Sequence, residues 1–250
     1  MMLYEFPFNE RTRTYLRLEH LLRRLGQLVP REHAVDHHYA LATMFEIIEV
    51  SARPDLKTDL LKDLERQKQV LNGYRDNPHI SQAALDEIVG QIEASFTSLH
   101  EQHSKAGQAL LDHEWLNSLR SRFAVPGGTC EFDLPVYHAW QHLPPARRIA
   151  DLEDWAQSFA ALAEPVHLLL RLLRDASGWQ KVAAAAGVFQ QNLPQGRSFQ
   201  LLRLRIDPSR GLVPEMSGNR LLASVRFLEA GENGRLVPTP EDVNFEIALN

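Results

Sequence analysis

Two histidines four residues apart, His33 and His37, stand at the start of an expected helix, with Asp36 and His38 beside them. Imidazoles at this spacing share a helix face and can offer two nitrogens to one zinc-type ion, whose bound water would then serve as a hydrolytic nucleophile. Such a centre needs at least a third protein ligand, and none is recognisable at a fixed spacing; His100, His103 and His113 offer no better geometry. A solvated helix start is the plainer reading, and a metal-dependent hydrolase built on His33 and His37 is the alternative class. Cys130, paired with a distant histidine, would make a thiolate nucleophile. It sits instead in a short apolar context, where free cysteines are usually buried and inert. The sequence contains no GxGxxG, GxxxxGK[ST], GxSxG or HExxH, the motifs that would bring a nucleotide, a nucleophile elbow or a zinc helix. Their absence removes the common cofactor and nucleotide routes, and the expectation is no cofactor and no bound metal.

What remains is chemistry of recognition. Arg23-Arg24 and Arg120-Ser121-Arg122 fall at the ends of expected helices, where cations complement the helix dipole. Arg220 and Arg226 lie in the C-terminal region. Phe132, Tyr137 and Trp140 flank His138. Such an aromatic group is either core or, beside Arg and His, a recess for a peptide carrying both acidic and apolar side chains.

The bulk properties agree with binding by a soluble chain. The 250 residues suffice for one large or two modest domains, and 44% hydrophobic residues suffice for a core. The formal net charge of -5 argues against nucleic acid, whose binding wants a basic face that releases counterions. A single cysteine permits no internal disulfide and fits a reducing compartment. The N-terminus MMLYEFPFNER lacks the apolar run of a signal peptide. The best apolar stretch, Pro165 to Leu173, is interrupted by His167 and Arg171 and is far short of a bilayer span. The expected location is cytosolic, with no membrane partner.

The elements that would position these side chains read in two grammars. Leu3–Phe6 is a short strand. Asn9 caps a helix whose stripe is Tyr15, Leu18, Leu22 and Leu25. Further helices are expected over His33–Val50, after Pro54 through Leu56, Leu60, Leu64 and Leu71, and after Ser81 through Leu85, Ile88, Ile92, Phe96 and Leu99. Others follow over Ala109–Phe123, from Pro135, and over Arg147–Ala176 with a kink at Pro165. CEFDL, after the Val125-Pro126-Gly127-Gly128 break, is strand-like. Beyond Gly178 the period drops to two in SFQLLRLRID, RLLASVRFLE and VNFEIAL, separated by turn signals such as Ser217-Gly218-Asn219. The fold class is therefore α+β: a helical domain over residues 8–178, with a short strand near 129–134, and an antiparallel β domain over 1–7 and 179–250.

Three segments carry a resemblance. They are FPFNERTRTYLRLEHLL, RSRFAVPGGTCEFDLPVYHAWQHLP, and SGNRLLASVRF followed by VPTPEDVNFEIAL. Together they resemble the ZapD family of bacterial division-ring factors, from the first strand to the last. The middle segment, with its arginine pair, PGG turn, CxFDLP and H-x-W-x-H-L-P, is the most specific. The resemblance implies a non-enzymatic homodimer that binds the C-terminal peptide of the tubulin-like GTPase FtsZ, crosslinks FtsZ protofilaments into bundles, and supports ring assembly at midcell. It implies FtsZ-contacting positions at Arg17, Arg53, Arg122, His138, Arg220 and Arg226. Glu114 and Leu222 stand where some members carry arginine, so the pocket here is expected to be less basic. His138 and Trp140, two residues apart, cannot share a helix face; Trp140 is expected to point into the core and His138 outward.

Overall fold

A computed structural model describes residues 1–75 and 77–250. The chain forms two compact units, one of residues 15–169 and one of residues 1–14 with 170–250.

The first unit is helical. Its elements are α1 (Glu10–Leu28), which begins in the second unit, α2 (Ala34–Ser51), α3 (Leu56–Asn72), α4 (Gln82–Glu101), α5 (Gln108–Asp112), α6 (Glu114–Phe123), α7 (Pro135–Gln141), α8 (Pro145–Gln157) and α9 (Ala160–Asp175), which ends in the second unit. Of the stripes read from the sequence, Leu18, Leu25, Met44, Phe45, Ile48, Leu60, Leu64 and Ile92 are buried, whereas Tyr39, expected on the apolar face of α2, is exposed. Asn9 Oδ1 accepts from the Thr12 amide at 2.8 Å, and Ser81 Oγ caps α4 through the Ala84 amide. α3 and α4 pair closely, and Lys57 Nζ donates to the carbonyls of His100 and Gln102 at 3.1 and 2.7 Å, which otherwise end α4 without partners.

Three local expectations are corrected. Ala109–Phe123 is two helices, because His113 takes an extended conformation (φ -84, ψ 114) between α5 and α6. The expected helix over Arg147–Ala176 is also two, parted at Ser158–Phe159, while Pro165 lies inside α9. The strand near 129–134 is absent. Cys130–Asp133 forms turns in which the amides of Asp133 and Leu134 both donate to the Cys130 carbonyl, and Cys130 Sγ donates to the Gly127 carbonyl at 3.0 Å. CEFDL has alternating residues but no neighbouring strand to satisfy an extended backbone, so it closes on itself.

The second unit is two packed antiparallel sheets. Its strands are β1 (Met2–Pro7), β2 (Gln180–Ala184), β3 (Val188–Asn192), β4 (Leu201–Ile206), β5 (Val213–Gly218), β6 (Leu222–Ala230), β7 (Leu236–Pro238) and β8 (Val243–Leu249). One sheet has the order β1-β4-β8-β2; the other is β3-β6-β5, with β7 on β6. The N-terminal strand finds its partner at the far end of the chain, with Tyr4 opposite Leu204 and Phe6 opposite Leu202. Inward residues of both sheets meet in one core: Leu202, Leu204, Val225, Phe227, Phe245 and Ile247, with the Phe227 and Phe245 rings 5.0 Å apart. β2 and β3 were not read from the sequence, because KVAAAAGV has neither clear alternation nor β-branched density. A turn through Ala186 (φ 46) and Gly187 (φ 71) joins them; a side chain at Gly187 would strike the Thr239 carbonyl. Arg174, in the last turn of α9, forks onto Glu5 of β1 with bonds of 2.8 and 2.7 Å.

Candidate functional site

In the helical unit, Arg17 is exposed on α1 and Arg53 is exposed in the α2–α3 connection. Arg122 and His138 come from adjacent helices. Arg122, at the end of α6, holds Asp133 at 3.6 Å, and Asp133 lies two residues before α7 begins. Pro135 starts α7, which places Tyr137 and Trp140 inward at 1% and 6% exposure and His138 outward. The Trp140 indole N–H donates to Asp151 Oδ2 at 3.0 Å. Trp115, Tyr137, Trp140 and Trp155 form one aromatic cluster with centroids 5.6 to 6.2 Å apart. Burial raises the Tyr137 phenol, and its oxygen meets His38 Nδ1 at 2.8 Å. Phe132, expected in this group, is 78% exposed instead. Beside the cluster lies a cavity of about 400 Å³ lined by Glu114, Trp115, Asp133 and Tyr137 among others, with no Arg or Lys in its wall. Glu114 thus gives this cavity acidic character.

In the β unit, Arg226 points outward from β6, whose Ala223, Val225 and Phe227 point in. It lies opposite Glu215 of β5 and pairs with it at 3.7 Å. Arg220 is in the β5–β6 turn, and Arg226 lies four strand residues beyond Leu222, where β6 begins, a rise of about 13 Å along β6 alone. The sheet arginines therefore do not form one cluster.

Arg220 has its own setting. Asn219 Oδ1 accepts from the amides of Leu221 and Leu222 at 2.8 and 3.0 Å, which locks the turn and holds Arg220 at its exposed tip. Its guanidinium has no ion pair or side-chain hydrogen bond among the described residues. The turn overhangs a recess of about 640 Å³ whose wall includes Phe8, Asn9, Leu193, Arg197, Phe199 and Leu221, and no carboxylate. The Phe8 amide donates to the Gln200 carbonyl at 3.0 Å and the Leu193 amide to the Leu221 carbonyl at 2.8 Å, so backbone ladders fix both walls. Arg197 Cζ stands 4.7 Å over the Phe199 ring. Sequence reading missed Arg197 and Phe199. Their signal was an Arg-x-Phe directly before a strand, unremarkable until the fold set it against the Arg220 turn.

The His33/His37 pair is not available as a chelate. His37 is buried, its Nε2 bonds to the Arg31 carbonyl, and its Nδ1 accepts from Arg148 Nε at 3.0 Å. His33 Nδ1 accepts from the Val35 amide, as a helix cap. The hydrolase alternative loses its first ligand pair on these bonds. No helix among the described residues is long and apolar enough to cross a membrane.

Comparison with known proteins identifies relatives along the chain. The ZapD family, described as a cell division protein, matches residues 16–226. "Cell division protein ZapD" of Ralstonia pickettii (strain 12J) is 48% identical over 250 residues, covering 100% of this chain and 99% of the relative. That of Cupriavidus pinatubonensis (strain JMP 134 / LMG 1197) is 50% identical over 250 residues, covering 100% of this chain and 98% of the relative. The chain therefore belongs to the ZapD family of cell division proteins.

Proposed function

We propose that this cell division protein acts by binding the C-terminal peptide of FtsZ and, as a homodimer, crosslinking FtsZ protofilaments into bundles at the midcell ring in the cytoplasm. The observation that carries the reading is the recess of the β unit, where Arg197 and the unpaired Arg220 stand among Phe8, Phe199 and Leu221 with no acidic residue in the wall. This chemistry suits a short peptide that mixes carboxylates with apolar side chains: the guanidinium forks hold the acids and the rings take the apolar groups. Arg17, Arg53, Arg122, His138 and Arg226 are exposed and add further contacts with the filament in this reading. A disordered tail loses entropy on ordering and binds modestly per site, so two sites on a two-fold dimer gain avidity on a filament displaying many tails. Binding of this kind needs no catalytic residue and no cofactor.

The test is co-sedimentation with GTP-assembled FtsZ. The wild-type chain should pellet with full-length FtsZ and leave tail-less FtsZ unbundled. Bundling of tail-less FtsZ to the same extent would refute the peptide mechanism.

A further inference from the structure

The chain holds two pairs of histidines spaced four apart, His33/His37 and His138/His142. The first is spent on structure. The second is not. His138 and His142 are both exposed, at the end of α7, with ring centroids 4.4 Å apart and planes tilted by 55°. His142 Nδ1 lies 2.8 Å from the His138 carbonyl oxygen. A carbonyl only accepts, so Nδ1 carries the hydrogen, and in the neutral ring Nε2 is the nitrogen left to accept. A backbone carbonyl taking the second ring N–H is the arrangement that orients and fixes the tautomer of metal-bound histidines. The His138 ring has no side-chain hydrogen bond among the described residues and is free to turn toward its neighbour.

We infer that His138 and His142 form a two-imidazole site for a borderline transition-metal dication, of which zinc and nickel are the accessible examples. Distances support it. With metal–nitrogen bonds of about 2.0–2.1 Å, two imidazoles on adjacent positions of one ion place their ring centres about 4.5–5 Å apart. The separation of 4.4 Å is close to that spacing. His138 lies in α7 and His142 caps its end, so the backbone already holds the pair together and little order is lost on binding. Imidazole nitrogen selects zinc, nickel or copper over magnesium and calcium, which want oxygen. No group of three or more His, Cys, Asp or Glu among the described residues is placed to share an ion. The ion would therefore keep open positions, for water or for a donor from another molecule. The inference does not depend on the FtsZ reading.

The experiment is calorimetric titration of the untagged full chain with zinc chloride and, separately, nickel chloride, with magnesium chloride as the contrast. Wild type should bind one zinc or nickel ion per chain at this site and show no magnesium binding. His138→Ala and His142→Ala should each weaken the affinity by about tenfold or more, the loss expected for a ligand rather than a supporting group. His33→Ala, which removes a histidine outside the pair, should bind as wild type. Circular dichroism should be unchanged in all three, since the side chains are exposed. Equal affinity in wild type and either His138→Ala or His142→Ala would overturn the site. So would an equal loss in His33→Ala, which would place the ion elsewhere.

Discussion

Arg148 Nε donates to His37 Nδ1 at 3.0 Å, and both side chains are buried, at 5% and 0% exposure. The rest of the guanidinium is satisfied by carbonyls alone: Glu32 at 2.5 Å, Leu143 at 3.0 Å and Gln141. One cation thereby ties the approach to α2, the end of α7 and the start of α8. Arg148→Ala should lower stability by about 2–4 kcal/mol, because the buried His37 nitrogen and three part-buried carbonyls lose their donor. Urea denaturation measures it, and a loss no larger than that of an exposed arginine would contradict the account.

Because His37 accepts from a cation, it must stay neutral in the folded protein. Burial is the main force holding its pKa below 6.5; the Arg148 charge adds to it, against the opposing pull of the Arg31 carbonyl and Asp36. Burial lowers His38 likewise. The unfolded chain therefore binds more protons than the folded one once pH falls below 6.5. Stability should be level above about pH 7.5, fall as pH drops through the ordinary histidine range, and level off for these groups below their folded pKa values. His38→Gln should flatten the slope measured by denaturation between about pH 7.5 and 5.5. An unchanged slope would exclude His38 as a contributor.

Trp140 and His138 are neighbours with opposite duties. Trp140→Ala should cost about 3–5 kcal/mol, by cavity formation within the Trp115, Tyr137 and Trp155 cluster. His138→Ala should stay within about 0.5 kcal/mol. Parallel thermal melts compare them, and comparable losses would show that His138 is structural.

Arg220→Glu should reduce co-sedimentation with FtsZ several-fold while leaving the melting temperature unchanged, since the side chain has no partner to lose among the described residues. Arg226→Ala should also leave stability within about 0.5 kcal/mol, because its pair with Glu215 is open to solvent on both sides. Raising salt from about 0.05 to 0.3 M should weaken binding through Arg220, as the screening length shortens. Salt-insensitive binding would mean that apolar contacts dominate the recess.

Gly218 ends β5 directly beneath the Phe8 ring, and a methyl group added there would strike that ring. Gly218→Ala should destabilise by about 1–3 kcal/mol and displace Phe8 from the recess wall. A variant with wild-type stability would show that Phe8 yields freely.

The sequence by itself determined the elements whose period is local. Tyr15, Leu18 and Leu25 on α1, or Leu201–Ile206 with Val243–Leu249, state their own helical or alternating geometry, since burial of one face needs only the right spacing. It also determined the family, through the H-x-W motif among others, and the outward turn of His138 opposite Trp140, which follows from two residues on one helix. What is non-local was decided only by tertiary structure. CEFDL has strand-like residues but gained no partner, so it became turns. The alanine-rich 180–192 segment has weak intrinsic preference and became two strands because β8 and β6 present open edges to it. His33 and His37 have metal-like spacing, yet Arg148, distant in sequence, takes the nitrogen a metal would need. Arg197 and Arg220 have no sequence relationship at all; the β5–β6 turn and the approach to β4 bring them to one recess. Spacing along a chain fixes which side chains share a face, whereas hydrogen-bond partners and cavity walls depend on which faces meet.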